Sequence, residues 1–442
     1  MKFKFNKAEL YIISGLFLWG IICSIVLVYP YLTTPGTGWI ASWRCDRLVE
    51  RYNDLVNYGQ FDIAHNSHVL GYGLYFPFIM RQFHIYDGLT MYCLAQSLCG
   101  MVVIMFYPFL VYKMHNNLLL SLISPVLVHL FFGDMLYINK SGEYFASLFS
   151  LALGIPLLII IFQSKKQKQI IGYSLFLIVI AMLSNIMRDK TAFPVVFIWL
   201  IILLLKCRSH IVKIVPAVIM IGILLFSFSF LSTTFPQIIA NKWGVEGKIA
   251  YNSSPWHSIL IGMGYVWNDY GLYYGDDAGK EIVEKYYPDV VYNSEGYFEK
   301  CKEIALDIIC KDPLFVLKGL IKKTIVSFIQ NIECTLGLAN ETVRLYRILS
   351  IILCVGALFV VSVKRKLIAM LKDSKYCYFV VFAILISNYT GILASPTYYY
   401  NWGACGGGGI LLFVFLMESV SFAVASECQR DNKIVLTVEE NS

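Results

Sequence analysis

The sequence predicts an all-α polytopic membrane protein, and three observations carry that prediction. Of its 442 residues 58% are hydrophobic and only 15% charged, with a mean hydropathy of +0.64; soluble domains carry about 25% charged residues. The apolar residues fall in runs of about 17–23, long enough to cross a bilayer, and without the strict alternation of barrel strands. Helices are then the only economical structure, because backbone groups in hydrocarbon must find partners within their own segment. Finally, the basic residues cluster between the runs, at Lys113, Lys165–Lys168, Lys206–Lys213 and Lys364–Lys372, as cytoplasmic loops do. That placement accounts for the net charge of +7 without nucleic acid. The 12 cysteines form no CxxC pair and sit mostly in apolar runs, where Cys acts as a small hydrophobe.

Taken in order, the first run, Leu10–Tyr31, follows Lys2, Lys4 and Lys7 and ends without a small-residue cleavage site. It reads as a retained signal anchor with its N-terminus inside. Further helices are expected over Gly88–Tyr112, Leu118–Phe132, Tyr144–Phe162, Ile170–Met187, Phe193–Leu205, Ile214–Leu231, Leu345–Val363, Tyr376–Leu393 and Ile410–Ala425. With Leu10–Tyr31 this makes about 10 spans. Asp134, Lys140 and Glu143 fall in an outer turn, and the SPTYYYNWGACGGGG stretch reads as an outer loop. The GGGG at 406–409 reads as tight packing or a helix entry, since no strand precedes it and no Lys-Ser/Thr follows. The chain divides into a transmembrane module over 1–231, an outer segment over 232–344 and a C-terminal transmembrane module over 345–442. In the outer segment, Glu299–Cys310 is helix-like, and Asp312 caps a further helix with Pro313 at its first position. Lys318, Lys322 and Lys323 place that helix on the outer surface rather than across the membrane.

The functional reading centres on residues 33–87, where Asp46, Asp54, Asp62, His65 and His68 are interleaved with Arg44, Arg47 and Arg51. Leu48, Val49, Tyr52, Leu55 and Val56 recur at helical spacing, which predicts an interfacial amphipathic helix. Asp46 and Asp54 share roughly one face of it. Carboxylates, imidazoles and guanidiniums at a membrane face suit chemistry on a polar substrate. Asp46 is the candidate base or a helix-surface ion-pair partner of Arg47 and Arg51. Asp54 is a solvated partner of Arg51, and His65 and His68 are substrate contacts or interfacial polar residues. Arg188 stands on the outer side against the charge trend, as a phosphate contact or a snorkelling anchor. Lys318, Lys322 and Lys323 could meet a lipid phosphate or headgroups in general. Tyr398–Trp402, with Tyr399 and Trp402 as candidate sugar contacts, could equally form an aromatic belt. A divalent-metal site from Asp46, Asp62 and a His is open, on spacing that is not specific.

This arrangement, a large acidic outer loop between the first two helices, resembles the membrane-embedded glycosyltransferases of the GT-C superfamily, including the family 39-like bacterial enzymes. The matching residues are Asp46, then Asp62, His65 and His68. The segment GMGYVWNDYGLYYGDD leading into DPLFVLKGLIKKT also looks like the long outer segment of bacterial members. No Asp-Glu pair follows the first helix, and Tyr398–Trp402 stand where an Arg-Tyr would close the last outer loop. The resemblance implies a polyprenyl-phosphate sugar as donor and a glycan or lipid acceptor of the cell envelope, such as O-antigen or lipopolysaccharide. It also implies an active site on the outer face of the cytoplasmic (inner) membrane. Asp46 and Asp62 would be catalytic, with His65, His68, Arg188, Lys318, Lys322, Tyr399 and Trp402 binding substrate. An O-antigen polymerase or ligase is the alternative, although those concentrate key arginines in late outer loops. A transporter is the third reading, but the helix interiors are almost free of charge.

Overall fold

The computed structural model describes residues 7–33, 45–46, 48–50, 52–53, 75–140, 142–188, 190–207, 214–242, 255–292, 294–336, 341–363, 375–394, 396 and 402–439. Every regular element among them is helical. Seven helices are long and apolar enough to cross a membrane, and three shorter apolar ones accompany them, at Phe193–Cys207, Arg347–Val361 and Cys377–Leu393. The chain is an all-α, multi-pass membrane protein.

Helix α1 (Lys7–Val28) lies against α3 (Gly88–His115), with the short α2 (Phe76–Phe83) before it. Phe17 packs its ring on Phe106 and Phe109, both at 5.3 Å, and Lys113 meets Glu9 at 2.6 Å where the two helices share an end. Helix α3 begins where the sequence places it because Asp87 caps it, accepting from the Thr90 backbone N–H at 2.7 Å. Helix α4 (Leu118–Val128) is capped by Asn117 and runs on into a π-helical stretch, His129–Ile138. Helix α5 (Phe145–Gln163) is apolar all round and buried on nearly every side, so it forms the centre of the bundle. Pro156 supplies no N–H to the Ala152 carbonyl four residues back, and Tyr107 Oη of α3 donates to that oxygen at 2.9 Å instead.

Helices α6 (Gln167–Met187), α7 (Phe193–Cys207) and α8 (Ile214–Ser229) follow, and α8 continues through a π-helical turn into α9 (Phe235–Lys242). This run passes the expected end at Leu231. A small lobe comes next, made of α10 (Trp256–Met263), α11 (Asp276–Tyr286) and α12 (Glu295–Lys311). Leu260, Ile282, Val283, Tyr297, Cys301 and Ile308 form a core of its own. His257 joins the three helices: one ring nitrogen is 2.8 Å from Tyr297 Oη and the other 3.3 Å from Asp276. That bond is the main reason the Asp276 carboxyl lies below its ordinary range.

Helix α13 (Pro313–Leu336) starts as the sequence expects, with Asp312 Oδ1 accepting from Phe315 N at 3.0 Å. Its exposed side carries apolar residues together with Lys318 and Lys322. Gly319, Lys323, Ser327, Asn331 and Cys334 face the protein, while Leu314, Leu317, Ile321, Ile325, Ile329 and Ile332 face away from it. Helix α14 (Glu341–Val363), α15 (Lys375–Ser387) and the short α16 (Tyr389–Leu393) precede the last helix, α17 (Trp402–Glu439). The glycines expected in an outer loop are therefore inside α17. A Cβ on Gly406 would overlap Leu148, one on Gly408 would overlap Thr335, and one on Gly409 would overlap Phe131 O and Arg347 Nη1. The run reads as tight packing, because neighbours from several helices press on it.

Candidate functional site

The polar groups of the bundle gather around the end of α4. A π-helical turn loosens the regular hydrogen-bond ladder, and lipid offers nothing to the freed carbonyls. Side chains from other helices take them. Gln96 Nε2 of α3 donates to Leu136 O at 3.1 Å and to Asn139 O at 2.7 Å. Ser350 Oγ of α14 donates to Leu130 O at 3.2 Å, and Trp402 Nε1 to Met135 O at 3.0 Å. Arg347 Nη1 donates to Phe131 O.

Two residues expected in an exposed outer turn are instead enclosed here. Asp134 is 1% exposed, and Arg347, 0% exposed, holds it with Nη2 at 3.3 Å from both carboxylate oxygens. Lys140 is 0% exposed; its Nζ donates to Tyr31 O at 2.9 Å and Ser97 Oγ at 2.8 Å. Burial brings the Lys140 ammonium down to about 8. Both corrections have one cause. The turn is roofed by the ends of α1, α3 and α14, which a reading of the local sequence does not see. The side chain of Glu143 lies outside the described residues.

Asp46 stands at the same end of the bundle. It is exposed, in helical backbone, while Leu48 and Tyr52 on the same segment are buried. That is the amphipathic pattern the spacing predicts. The Cys45 backbone lies so close to Gly88 that a Cβ there would overlap Cys45 O, and Tyr52 meets the Tyr86 ring edge-on at 5.9 Å. Burial first, then the Asp87 and Asp46 carboxylates, pushes the Cys45 thiol up to about 11. The two acids therefore flank one thiol at the start of α3. Asp87 itself is held below the usual carboxylate range: burial acts to raise it, and the hydrogen bonds from Thr90 and Leu89 outweigh that. Arg188, at the end of α6, stacks its guanidinium 4.2 Å from the centre of the Tyr144 ring, just after the same turn. No protein-family model, curated protein or solved structure matches this chain.

The structure thus brings Arg188 and Trp402 to the segment 129–144, with Asp46 at the neighbouring end of α3. Trp402 is half-buried and serves that segment as a hydrogen-bond donor. Lys318 and Lys322 lie elsewhere, on the exposed side of α13, with Lys322 over the Tyr265 ring at 5.4 Å. Asp54, Asp62, His65, His68, Tyr398 and Tyr399 lie outside the described residues. Among the described residues no three His, Cys, Asp or Glu side chains are grouped to hold a metal ion. Arg347 carried no weight in the sequence reading. Its signal was there, since a guanidinium at the head of the apolar run LSIILCVGALFVV needs an acid partner.

Proposed function

We propose that the protein is a membrane glycosyltransferase of GT-C type that moves a sugar from a polyprenyl-phosphate donor to a cell-envelope glycan or lipid. In this reading about 10 helices cross the cytoplasmic membrane, and the segments 33–87 and 232–344 lie on its outer face. Asp46 takes the proton of the acceptor hydroxyl, whose oxygen then bonds to the anomeric carbon as the bond to phosphate breaks. Cations receive the leaving polyprenyl phosphate; Arg188 takes this role in the reading, supported by its position against Tyr144 beside the segment 129–144. Asp62 is the second catalytic acid, and His65, His68, Lys318, Lys322, Tyr399 and Trp402 complete the substrate contacts.

One observation supports this reading most: Asp46 is an exposed carboxylate on a segment anchored through Leu48, Tyr52 and Cys45. A base must be accessible yet held still. The test is transfer of labelled sugar from a lipid-linked donor in membranes matched for protein amount. Asp46→Asn keeps the shape without the proton acceptor and is expected to lose about 100- to 10,000-fold in rate, while Asp54→Asn keeps most of it. Near-full transfer by the Asp46 variant removes the base from this residue.

A further inference from the structure

A cavity of about 210 Å³ lies between the lobe and α13, away from the segment 129–144. Trp256, Met263, Val266, Phe315 and Leu320 give it an apolar wall, and Lys323 is its charged member. Lys323 is 3% exposed, and its Nζ donates to Leu393 O at 3.0 Å. An ammonium carries three donors, and among the described residues no carboxylate is paired with this one. A buried charge without a counter-charge is costly. Apart from Lys323 the cavity's lining side chains are apolar, so a water there has few polar partners. Neighbouring Lys318 and Lys322 are exposed, so Lys323 alone of the three turns inward.

An occupant that satisfies both features has an apolar body and a single anionic end. We propose that this cavity is a binding site for the apolar chain of a single-tailed lipid acid whose phosphate or carboxylate pairs with Lys323. The space is enough for a short length of chain. Gly319 lines the same wall, where a Cβ would sit 3.5 Å from Val266 in ordinary contact. Alanine fits there, and a larger side chain would enter the cavity. The proposal does not rest on the transfer reading, because Asp46 takes no part in it.

The test uses the purified full-length chain and octyl phosphate carrying a photoactivatable chain terminus, with labelled peptides read by mass spectrometry. Label is expected on Trp256, Met263 or Phe315. Octanoate is expected to compete, and octanol and octyltrimethylammonium to be at least about tenfold weaker. Lys323→Met and Gly319→Leu should each lower labelling about tenfold or more, while Lys323→Arg, Gly319→Ala, Lys318→Ala and Asp46→Asn retain it. Competition by oleate or by farnesyl phosphate then assigns the source of the acid. Unchanged labelling in Lys323→Met, equal competition by octanol, or no competition from either natural-type acid overturns the proposal.

Discussion

Removing one charge of the Asp134–Arg347 pair should damage the protein far more than removing both. Arg347 Nη2 lies 3.3 Å from each Asp134 oxygen, with both side chains enclosed. At that separation and an effective dielectric near 20, the attraction is about 5 kcal/mol before desolvation is counted. Desolvation consumes much of it, so the intact pair contributes little net stability. Arg347→Met or Asp134→Leu alone leaves an enclosed charge unanswered, and such lesions cost about 3–5 kcal/mol. Arg347→Met also leaves Phe131 O without its donor in the π-helical stretch. The double variant carries no stranded charge and should recover most of the loss. The assay is the unfolding midpoint in a denaturing-detergent titration, followed by intrinsic fluorescence. Single variants as stable as the parent, or a double variant no better than the worse single one, would refute the reasoning.

Two further outcomes follow from the same geometry. Gly408→Ala sets a methyl against Thr335 and should cost about 1–3 kcal/mol; Thr335→Ala in the same chain should recover part of it, read by the same titration. Lys140 has its ammonium lowered from 10.5 to about 8 by burial. The unfolded chain therefore holds more protons between those values, and stability rises with pH across that window. Below pH 8 the full burial penalty is present. The thermal midpoint of the parent should gain on that of Lys140→Met as pH is raised from 8 toward 10.5; a constant difference would refute it.

Helix positions were largely legible in the sequence, because each depends on signals a few residues long. The Asp87 cap before α3, the Asp312-Pro313 entry to α13 and the apolar run of α5 all stand where local chemistry put them. Burial of charge was not legible. Asp134 lies within an apolar stretch and Lys140 just past it, next to Gly142 and Glu143, and a local window reads such a place as a turn open to water. What encloses Asp134 is Arg347, 213 positions away. The glycine run failed as a loop for a related reason. Four glycines argue against a helix locally, but tertiary contact decides when neighbours leave no room for a Cβ. The Asp46 segment was legible as an amphipathic turn, since Leu48 and Tyr52 are buried as their spacing implies.

The start of α17 explains why residues far apart in sequence bear on one place. Trp402 ties it to Met135, Gly409 lets it touch Phe131 and Arg347, and Gly408 lets it touch Thr335. Cys405 Sγ, one turn below Trp402, donates to Asn331 Oδ1 of α13, and Asn331 in turn donates to Asn388. One helix thus packs on the π-helical end of α4 and on the inward face of α13, whose other half lines the cavity with Lys323. A larger residue at 408 or 409 would have to separate α17 from one of these neighbours. The small-residue run is therefore a requirement of the polar end of the bundle as much as of the core, because Met135 O and Phe131 O keep these donors only while Trp402 and Arg347 can reach them.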